Sequence, residues 1–296
     1  MQSRTPLEVP RLLAWAAGRL EESGVAKPRL NAEQLLAYCT GRSRVQLYAY
    51  PEEPVSGEEA EAFAAAVRRR AAREPLQYIT GVRGFRYLEL AVDRRALIPR
   101  PETEMLAERA VELARAVRGH AVAVDVGTGS GCIALSLARE CPAAVVHATD
   151  ICGQALELAR HNAARLGLDG AVVFHRGDLL RPLPARLAGR CDLVVSNPPY
   201  VREGDFHRLP PEVKGHEPYR SLVAGPDGTE VHLRLMQQAP RWLSKGGWLL
   251  MEGGEDQMEG LARAAGRLGY ADVDIRPDLN GLPRVVEMRW NKTPCR

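Results

Sequence analysis

The chain has no run of about eighteen consecutive apolar residues, so hydropathy offers no membrane-spanning helix. Its opening, "MQSRTPLEVPRLLAWAAGRLEESG", brings arginines and acids in early and lacks the pattern of a secretory signal. No C-x-x-C pair occurs among Cys39, Cys132, Cys141, Cys152, Cys191 and Cys295. Neither a metal site nor a disulfide framework is therefore indicated, and the six are expected to be reduced, mostly buried small apolar side chains. Neither charge sign dominates: 40 Lys and Arg stand against 37 Asp and Glu, a net charge of +3, which argues against a protein whose main task is wrapping nucleic acid. Internal repeats and low-complexity tracts are missing, as is a phosphate-binding Gly-Lys-Ser/Thr. These absences leave a soluble chain expected to be cytoplasmic and monomeric. With 296 residues and 45% hydrophobic content it can bury a substantial core, and two domains are expected.

The first eighty or so residues read as helical. Pro10 suits the first turn of a helix carrying Leu12, Leu13, Ala16 and Leu20. Asn31 with Gln34 has capping-box spacing before Leu35, Leu36 and Tyr38, and Ser56 with Glu59 has the same spacing before Ala60, Phe63, Ala64 and Val67. Arg68, Arg69 and Arg70 then fit a solvated helix terminus at the negative end of the dipole better than a nucleic-acid patch. From Gly81 to Leu97 the period becomes two, with Phe85, Tyr87, Leu88, Leu90 and Val92 predicting a β-ribbon. From Ala121 to the end, apolar strands are expected to alternate with helices in the βαβ manner. The organisation predicted is a helical domain over residues 1–80, a β-hairpin linker over 81–97 and an α/β domain over 98–296.

"VAVDVGTGSGCIALSLA" is a strand, a glycine turn and a helix starting near Cys132. Gly127, Gly129 and Gly131 are spaced G-x-G-x-G, and Cys132 occupies the third glycine position of a G-x-G-x-x-G dinucleotide fingerprint, which disfavours a nicotinamide enzyme. Asp125 can hold the turn or face a cationic group. A second strand ends in Asp150, suited to accept both hydroxyls of a ribose. A third ends in Asp178, placed to accept from an adenine amino group, with Leu179 beside it as an apolar wall. Any one of these acids could equally cap a helix; together with the glycine turn they point to a nucleoside without a triphosphate. "DLVVSNPPYV" adds a buried strand stopped by Pro198 and Pro199, so that Asn197 and the carbonyls after it are held rigidly beyond a strand's carboxyl end, where open α/β sheets bind ligands.

The strand, loop and acid series resembles class I S-adenosylmethionine-dependent methyltransferases, and Asn197-Pro198-Pro199-Tyr200 resembles the motif of those acting on planar, conjugated nitrogens. "EPLQYITGVRGF", "LIPRPETE", "DVGTGSGCIAL", "SNPPYV", "EPYRSLVAGPDG" and "DLNGLPRVV" together resemble the bacterial peptide chain release factor N5-glutamine methyltransferases over nearly the whole chain. "LLMEGG", Leu249 to Gly254, departs from the more apolar strand end expected, and is expected to sit away from the motifs. The resemblance implies a Rossmann-like sheet with a small helical N-terminal domain, S-adenosylmethionine as cofactor with S-adenosylhomocysteine as product, and class I release factors as protein substrates through their Gly-Gly-Gln loop. It implies a cofactor site at Gly127, Thr128, Gly129, Ser130, Gly131, Asp150, Asp178, Leu179 and Asn197, and a substrate site at Asn197, Pro198, Pro199 and Tyr200. An amide nitrogen is a poor nucleophile, and its two N–H groups are expected to be accepted by the Asn197 side-chain oxygen and the Pro198 carbonyl, with Tyr200 stacking on the planar group. Arg100 is expected to pair with Glu102, Glu104 or Asp125, or to contact substrate. "VAGPDG", Val223 to Gly228, reads as a loop near the pocket. The competing reading is a nucleic-acid amino methyltransferase acting on adenine or guanine, disfavoured by Glu52, Glu53, Glu58, Glu59 and Glu61 among the N-terminal arginines. A silent scaffold would have lost part of the glycine loop or Asn197.

Overall fold

The computed structural model describes residues 8–292, so Cys295 and the first seven residues of the expected N-terminal domain lie outside the described residues. The chain divides into two compact units. One comprises residues up to Gly81 together with Pro210–His216; the other comprises Val82–Leu209 and the chain from Glu217 onward.

The first unit is helical: α1 (Val9–Glu22), α2 (Pro28–Thr40), α3 (Arg44–Ala49), α4 (Gly57–Ala71) and α5 (Leu76–Thr80). Leu13, Leu20, Leu35, Leu36, Phe63 and Val67 share its core. Ser56 and Glu59 make the expected capping box on α4, with Glu59 N donating to Ser56 Oγ at 3.2 Å and Ser56 N to Glu59 Oε2 at 2.7 Å. Asn31 does not cap. Pro28 pre-sets the first turn, so α2 opens earlier, and the Asn31 amide instead donates back to the carbonyls of Ala26 and Lys27 at 3.0 and 3.1 Å. Helix α3, which sequence reading missed, carries its own capping box, Ser43 with Gln46. Arg69 ends α4 in a surface pair with Glu74, as expected of a solvated terminus. Arg70 does not: it is buried, donates to Asn31 Oδ1 at 2.9 Å, and with Arg73 grips Glu212 of the Pro211–His216 helix at 2.8–2.9 Å.

In the second unit, β1 (Val82–Phe85) and β2 (Leu88–Ala91) form the expected antiparallel ribbon. Helix α6 (Pro101–Ala116) follows, opened by a proline with Glu102 in its first turn. Then come β3 (Val122–Val126), α7 (Cys132–Glu140), β4 (Val145–Asp150), α8 (Gly153–Arg165), β5 (Val172–Arg176) and β6 (Cys191–Ser196). Two short strands, β7 (Val201–Arg202) and β8 (Val223–Gly225), pair in a ribbon of their own. Strands β9 (Leu243–Glu252), β10 (Ala271–Pro277) and β11 (Pro283–Trp290) complete a seven-stranded sheet of order β10-β11-β9-β6-β3-β4-β5. Strands β3 and β6, paired on both edges and covered on both faces, are accordingly near-continuous apolar runs.

One face packs Ala123, Leu193 and Val195 under Leu106 and Leu135; the other packs Val124, Val194 and Leu249 under Leu235 and Leu261. The βαβ alternation expected to run to the end continues through the helix Met258–Leu268 to β10 and stops there. Only five residues separate β10 from β11, too few for a crossover, so β11 turns back antiparallel between β9 and β10. Asp278 holds that turn, accepting from Asn280 N at 2.9 Å and Leu282 N at 3.1 Å. Among the described residues no helix is long and apolar enough to cross a membrane.

Candidate active site

Strand register assembles the site. Thr149, Val126, Ser196 and Met251 are paired across β4, β3, β6 and β9, four parallel strands. The residues one step beyond are Asp150, Gly127, Asn197 and Glu252, which therefore share one level at the carboxyl edge of the sheet, where βαβ topology leaves room for a ligand. The order of strands reverses between β3 and β6, and Gly127 and Asn197 flank that reversal.

The glycine loop is tied down from below and from the side. Gly127 N and Thr128 N both donate to Thr149 O, at 2.8 and 3.0 Å. Gly127, Gly129 and Gly131 have φ of 72°, 56° and 88°, the left-handed region that side chains resist, and a Cβ on Gly131 would meet Leu135 Cδ1 at 3.0 Å. Asp125 holds the turn: its Oδ2 accepts from Thr128 Oγ1 at 2.6 Å and Ala134 N at 3.1 Å, and it does not pair with Arg100. Burial raises its pKa to about 7 despite these two bonds. Asp150 accepts from Gly129 N at 2.9 Å through Oδ2 and from Cys152 N at 2.8 Å through Oδ1, so both oxygens are oriented by backbone while retaining a second lone pair each. Burial raises its pKa, against the two backbone bonds.

Beyond β6, Ser196 Oγ donates to Val126 O at 2.7 Å and locks the strand end to β3. The Asn197 amide donates from Nδ2 to Thr103 Oγ1 at 3.0 Å. The Pro-Pro turn is pinned further on, where Tyr200 N donates to Leu222 O at 3.1 Å and Tyr200 O accepts from Gln257 Nε2 at 2.9 Å. Burial pushes the Tyr200 phenol up to about 12, so it stays protonated and is no base. Arg100 pairs with Glu217, which also accepts from Ile98 N at 3.2 Å; it is this buried carboxylate, remote in sequence, and not Glu102, Glu104 or Asp125, that orients the guanidinium.

These groups line one cavity of about 390 Å³, a volume in the range of small-molecule sites. Of the residues expected from sequence, Gly127, Thr128, Gly129, Ser130, Asp150, Asp178, Leu179, Asn197 and Pro199 are on its wall. Gly131, Pro198 and Tyr200 are not; Gly131 serves the turn and α7. Asp178 is held by Arg234, which any ligand donor reaching it must share. Leu179 carries φ of 51°, an unusual conformation for a branched side chain. Sequence reading missed Ala96, Leu97, Ile151, Arg220 and Arg234 on the wall, and Thr103 behind Asn197. The "VAGPDG" stretch begins with Val223 on the wall, as expected; Val223–Gly225 form strand β8 and residues 226–228 are the loop. A nucleoside fits this site: a backbone cradle, a twin-oxygen acid at the next strand end and apolar walls, with Ser130 Oγ and Thr149 Oγ1 buried beside it without partners.

The site also corrects one expectation. Leu249 to Gly254 does not lie away from the motifs, because its Glu252 stands beside Asn197 in register. Glu252 is fully buried, both its oxygens lack hydrogen-bond partners, and burial raises its pKa to about 7.

Comparison with known proteins accords with this geometry. Residues 11–81 match the family described as PrmC N-terminal domain, and residues 103–209 match the methyltransferase small domain. A release factor glutamine methyltransferase of Geobacter sulfurreducens is 41% identical, over 94% of this chain and 95% of that one. A protein of the same name from Deinococcus radiodurans is 42% identical over 96% and 99%. A methyltransferase structure from Pyrococcus furiosus, 19% identical, superposes with a TM-score of 0.52 over 76% of this chain and 99% of that one, a likeness of fold alone.

Proposed function

The chain belongs to the release factor glutamine methyltransferase family, and from that premise we propose that it transfers a methyl group from S-adenosylmethionine to the side-chain amide nitrogen (N5) of the glutamine in the Gly-Gly-Gln loop of class I release factors. The observation that carries this reading is Asn197. Its Nδ2 is committed to Thr103, so its oxygen is the end left to accept from a substrate, at the rim of a cavity built for a nucleoside.

When bound, the cofactor supplies an electrophilic methyl on a sulfonium. The chain's residues do the rest. Gly127 to Gly131 bring backbone close to the ligand, Asp150 accepts from the ribose hydroxyls, and Asp178 and Leu179 take the adenine. Asn197 Oδ1 and the Pro198 carbonyl accept the two N–H groups of the target amide. This aims the nitrogen lone pair along the sulfur–methyl axis and stabilises positive charge developing on nitrogen, with no strong base required. Tyr200, protonated at working pH, lies off the cavity wall and holds the Pro-Pro turn in place through its backbone bonds. The helical unit is assigned recognition of the protein substrate, an assignment supported by its exposed Trp15, Tyr38 and Tyr50.

The experiment is incubation with labelled S-adenosylmethionine, a purified class I release factor and total RNA, followed by peptide mapping. Label at the glutamine of Gly-Gly-Gln is expected. Label in RNA and none in protein would transfer the assignment to a nucleic-acid amino group.

A further inference from the structure

We propose that Gln257 is a positioning residue for methyl transfer: its side-chain amide clamps the outer end of the Asn-Pro-Pro-Tyr turn and the Gly228 carbonyl to the end of β9, and so fixes where Asn197 and Pro199 stand on the cavity wall. This rests on the role given to Asn197 above.

The turn cannot set its own shape. Pro198 and Pro199 have no N–H, so the two residues in its middle donate no backbone bonds and its geometry is decided at its ends. The inner end is anchored to the sheet, where Ser196 Oγ donates to Val126 O and Asn197 Nδ2 to Thr103 Oγ1. The outer end runs into β7, whose partner is β8, and that ribbon is separate from the seven-stranded sheet. Tyr200 N and Val201 N both donate to Leu222 O, at 3.1 and 2.9 Å, which ties the turn to the ribbon and not to the sheet.

Gln257 supplies a tie from ribbon to sheet. Its Nε2 donates to Tyr200 O at 2.9 Å, just before β7, and to Gly228 O at 3.2 Å, shortly after β8. Its Oε1 accepts from Gly254 N at 3.0 Å, just beyond the end of β9. The two carbonyls can only accept and the backbone N–H can only donate, so the amide has one orientation. The residue is buried, and both ends of its amide are engaged. Gly228 makes room for this arrangement: its φ is 75°, and a Cβ there would stand 2.6 Å from both Gln257 Nε2 and Tyr200 O, inside the bond that joins them. Gln257 is not on the cavity wall, so what it governs is the place of the turn and not the cofactor's contacts.

The charges around this clamp are engaged elsewhere. Arg202 of β7 pairs with Asp256 at 2.6 Å, and Arg284 of β11 with Asp278 at 3.3 Å. His232, from the helix Glu230–Gln238, bonds the Glu252 backbone carbonyl at 2.8 Å, and Glu230 accepts from Asp227 N at 2.7 Å. A carboxylate placed at position 257 would therefore face two carbonyl oxygens in a buried site, with its pKa raised.

The test is Gln257→Glu and Gln257→Met in the full chain, with single-turnover transfer to a saturating release factor measured from pH 6 to 9 and S-adenosylhomocysteine affinity measured alongside. Ionised Glu keeps the acceptor for Gly254 N but sets an acceptor against the two carbonyls. Protonated Glu regains one donor. Transfer by Gln257→Glu is expected to be slowed roughly tenfold to a hundredfold at pH 8, the scale of a misplaced reacting group, and to recover in part, relative to wild type, as pH falls towards 6. Gln257→Met has no donor at any pH and is expected to stay slow throughout, with cofactor affinity unchanged in both variants. Asp125 and Glu252, each at about 7, are present in all three proteins, so the ratio to wild type isolates position 257. Wild-type rates in the variants, or a Gln257→Glu ratio that does not change with pH, would overturn the proposal. If Gln257→Glu does not fold, Gln257→Met decides: slow transfer with full cofactor affinity is expected, and wild-type transfer would overturn the idea equally. Asn197→Ala run in parallel separates the two levels. A slow Asn197→Ala with fast Gln257 variants removes only the positioning role, whereas a fast Asn197→Ala removes the reading beneath it.

Discussion

Asp150→Asn should weaken the cofactor site more than Asp150→Ala, although asparagine is the closer mimic of shape. Asp150 accepts two backbone donors, one through each oxygen: Gly129 N at 2.9 Å and Cys152 N at 2.8 Å. An asparagine has one oxygen, so its NH2 must point at one of those N–H groups. If it faces Gly129, the glycine turn loses its anchor; if it faces Cys152, the entry to α8 does. A hydrogen bond to a charged acceptor contributes about 1.5–3 kcal/mol, and the loss of a ribose acceptor costs about 1–3 kcal/mol more. The sum, roughly 2.5–6 kcal/mol, corresponds to a loss of about 10²–10⁴ in affinity at about 1.4 kcal/mol per tenfold. Alanine removes the acceptors without installing a donor and lets water reach Gly129 N, so a loss of about 1–3 kcal/mol is expected, from the ribose contact. Because burial raises the Asp150 pKa, wild-type affinity should also fall on acidification sooner than an exposed aspartate would allow. Isothermal titration with S-adenosylhomocysteine on the full chain, with thermal unfolding to check the fold, gives both numbers. An asparagine variant that binds as tightly as wild type, or more tightly than the alanine variant, would refute the ribose assignment and the twin-anchor argument together.

Asn197→Ala should keep fold and cofactor affinity while slowing methyl transfer by about 10²–10³ in single-turnover assays; Asn197→Asp, which still accepts N–H bonds but adds charge, should fall between it and wild type. Glu212 is half-buried against Arg70 and Arg73, and although burial alone would raise its pKa, the two guanidiniums hold it at about 2, so the stability it contributes is present above pH ~4.5 and lost as pH falls towards 2. Glu212→Gln leaves Arg70 buried without its counter-charge and should destabilise the helical unit by about 3 kcal/mol, read as faster hydrogen exchange in α2 and α4; unchanged exchange would show the pair to be idle. Replacing Tyr38 and Tyr50 by Ser should raise KM for an intact release factor and leave turnover at saturation unchanged, and an unchanged KM would move substrate recognition off this face.

What could be read from the sequence was local. The strand–glycine–helix turn, the acids at the ends of β4 and just past β5, and the proline stop after β6 each announce themselves within ten residues, because backbone chemistry at a strand end leaves few alternatives. What could not be read was which charges meet. Arg70 looked like the last of three solvated arginines until Glu212, from a helix inserted between β7 and β8, reached it. Arg100 had three nearer acids to choose from and took Glu217. Glu252 lay in a stretch read only as a departure from an apolar strand end and expected to sit away from the motifs, because a strand's pattern says nothing about what covers its end. The parallel register of β6 and β9 sets it beside Asn197, and α6 packs on both strands. All three misreadings concern one kind of object, a charge whose energy is decided by a partner far away in the chain. The positions where sequence patterning and burial disagree, an acid inside a strand core above all, are therefore where a methyltransferase of this family is best searched for residues that act on the reaction without touching the substrate.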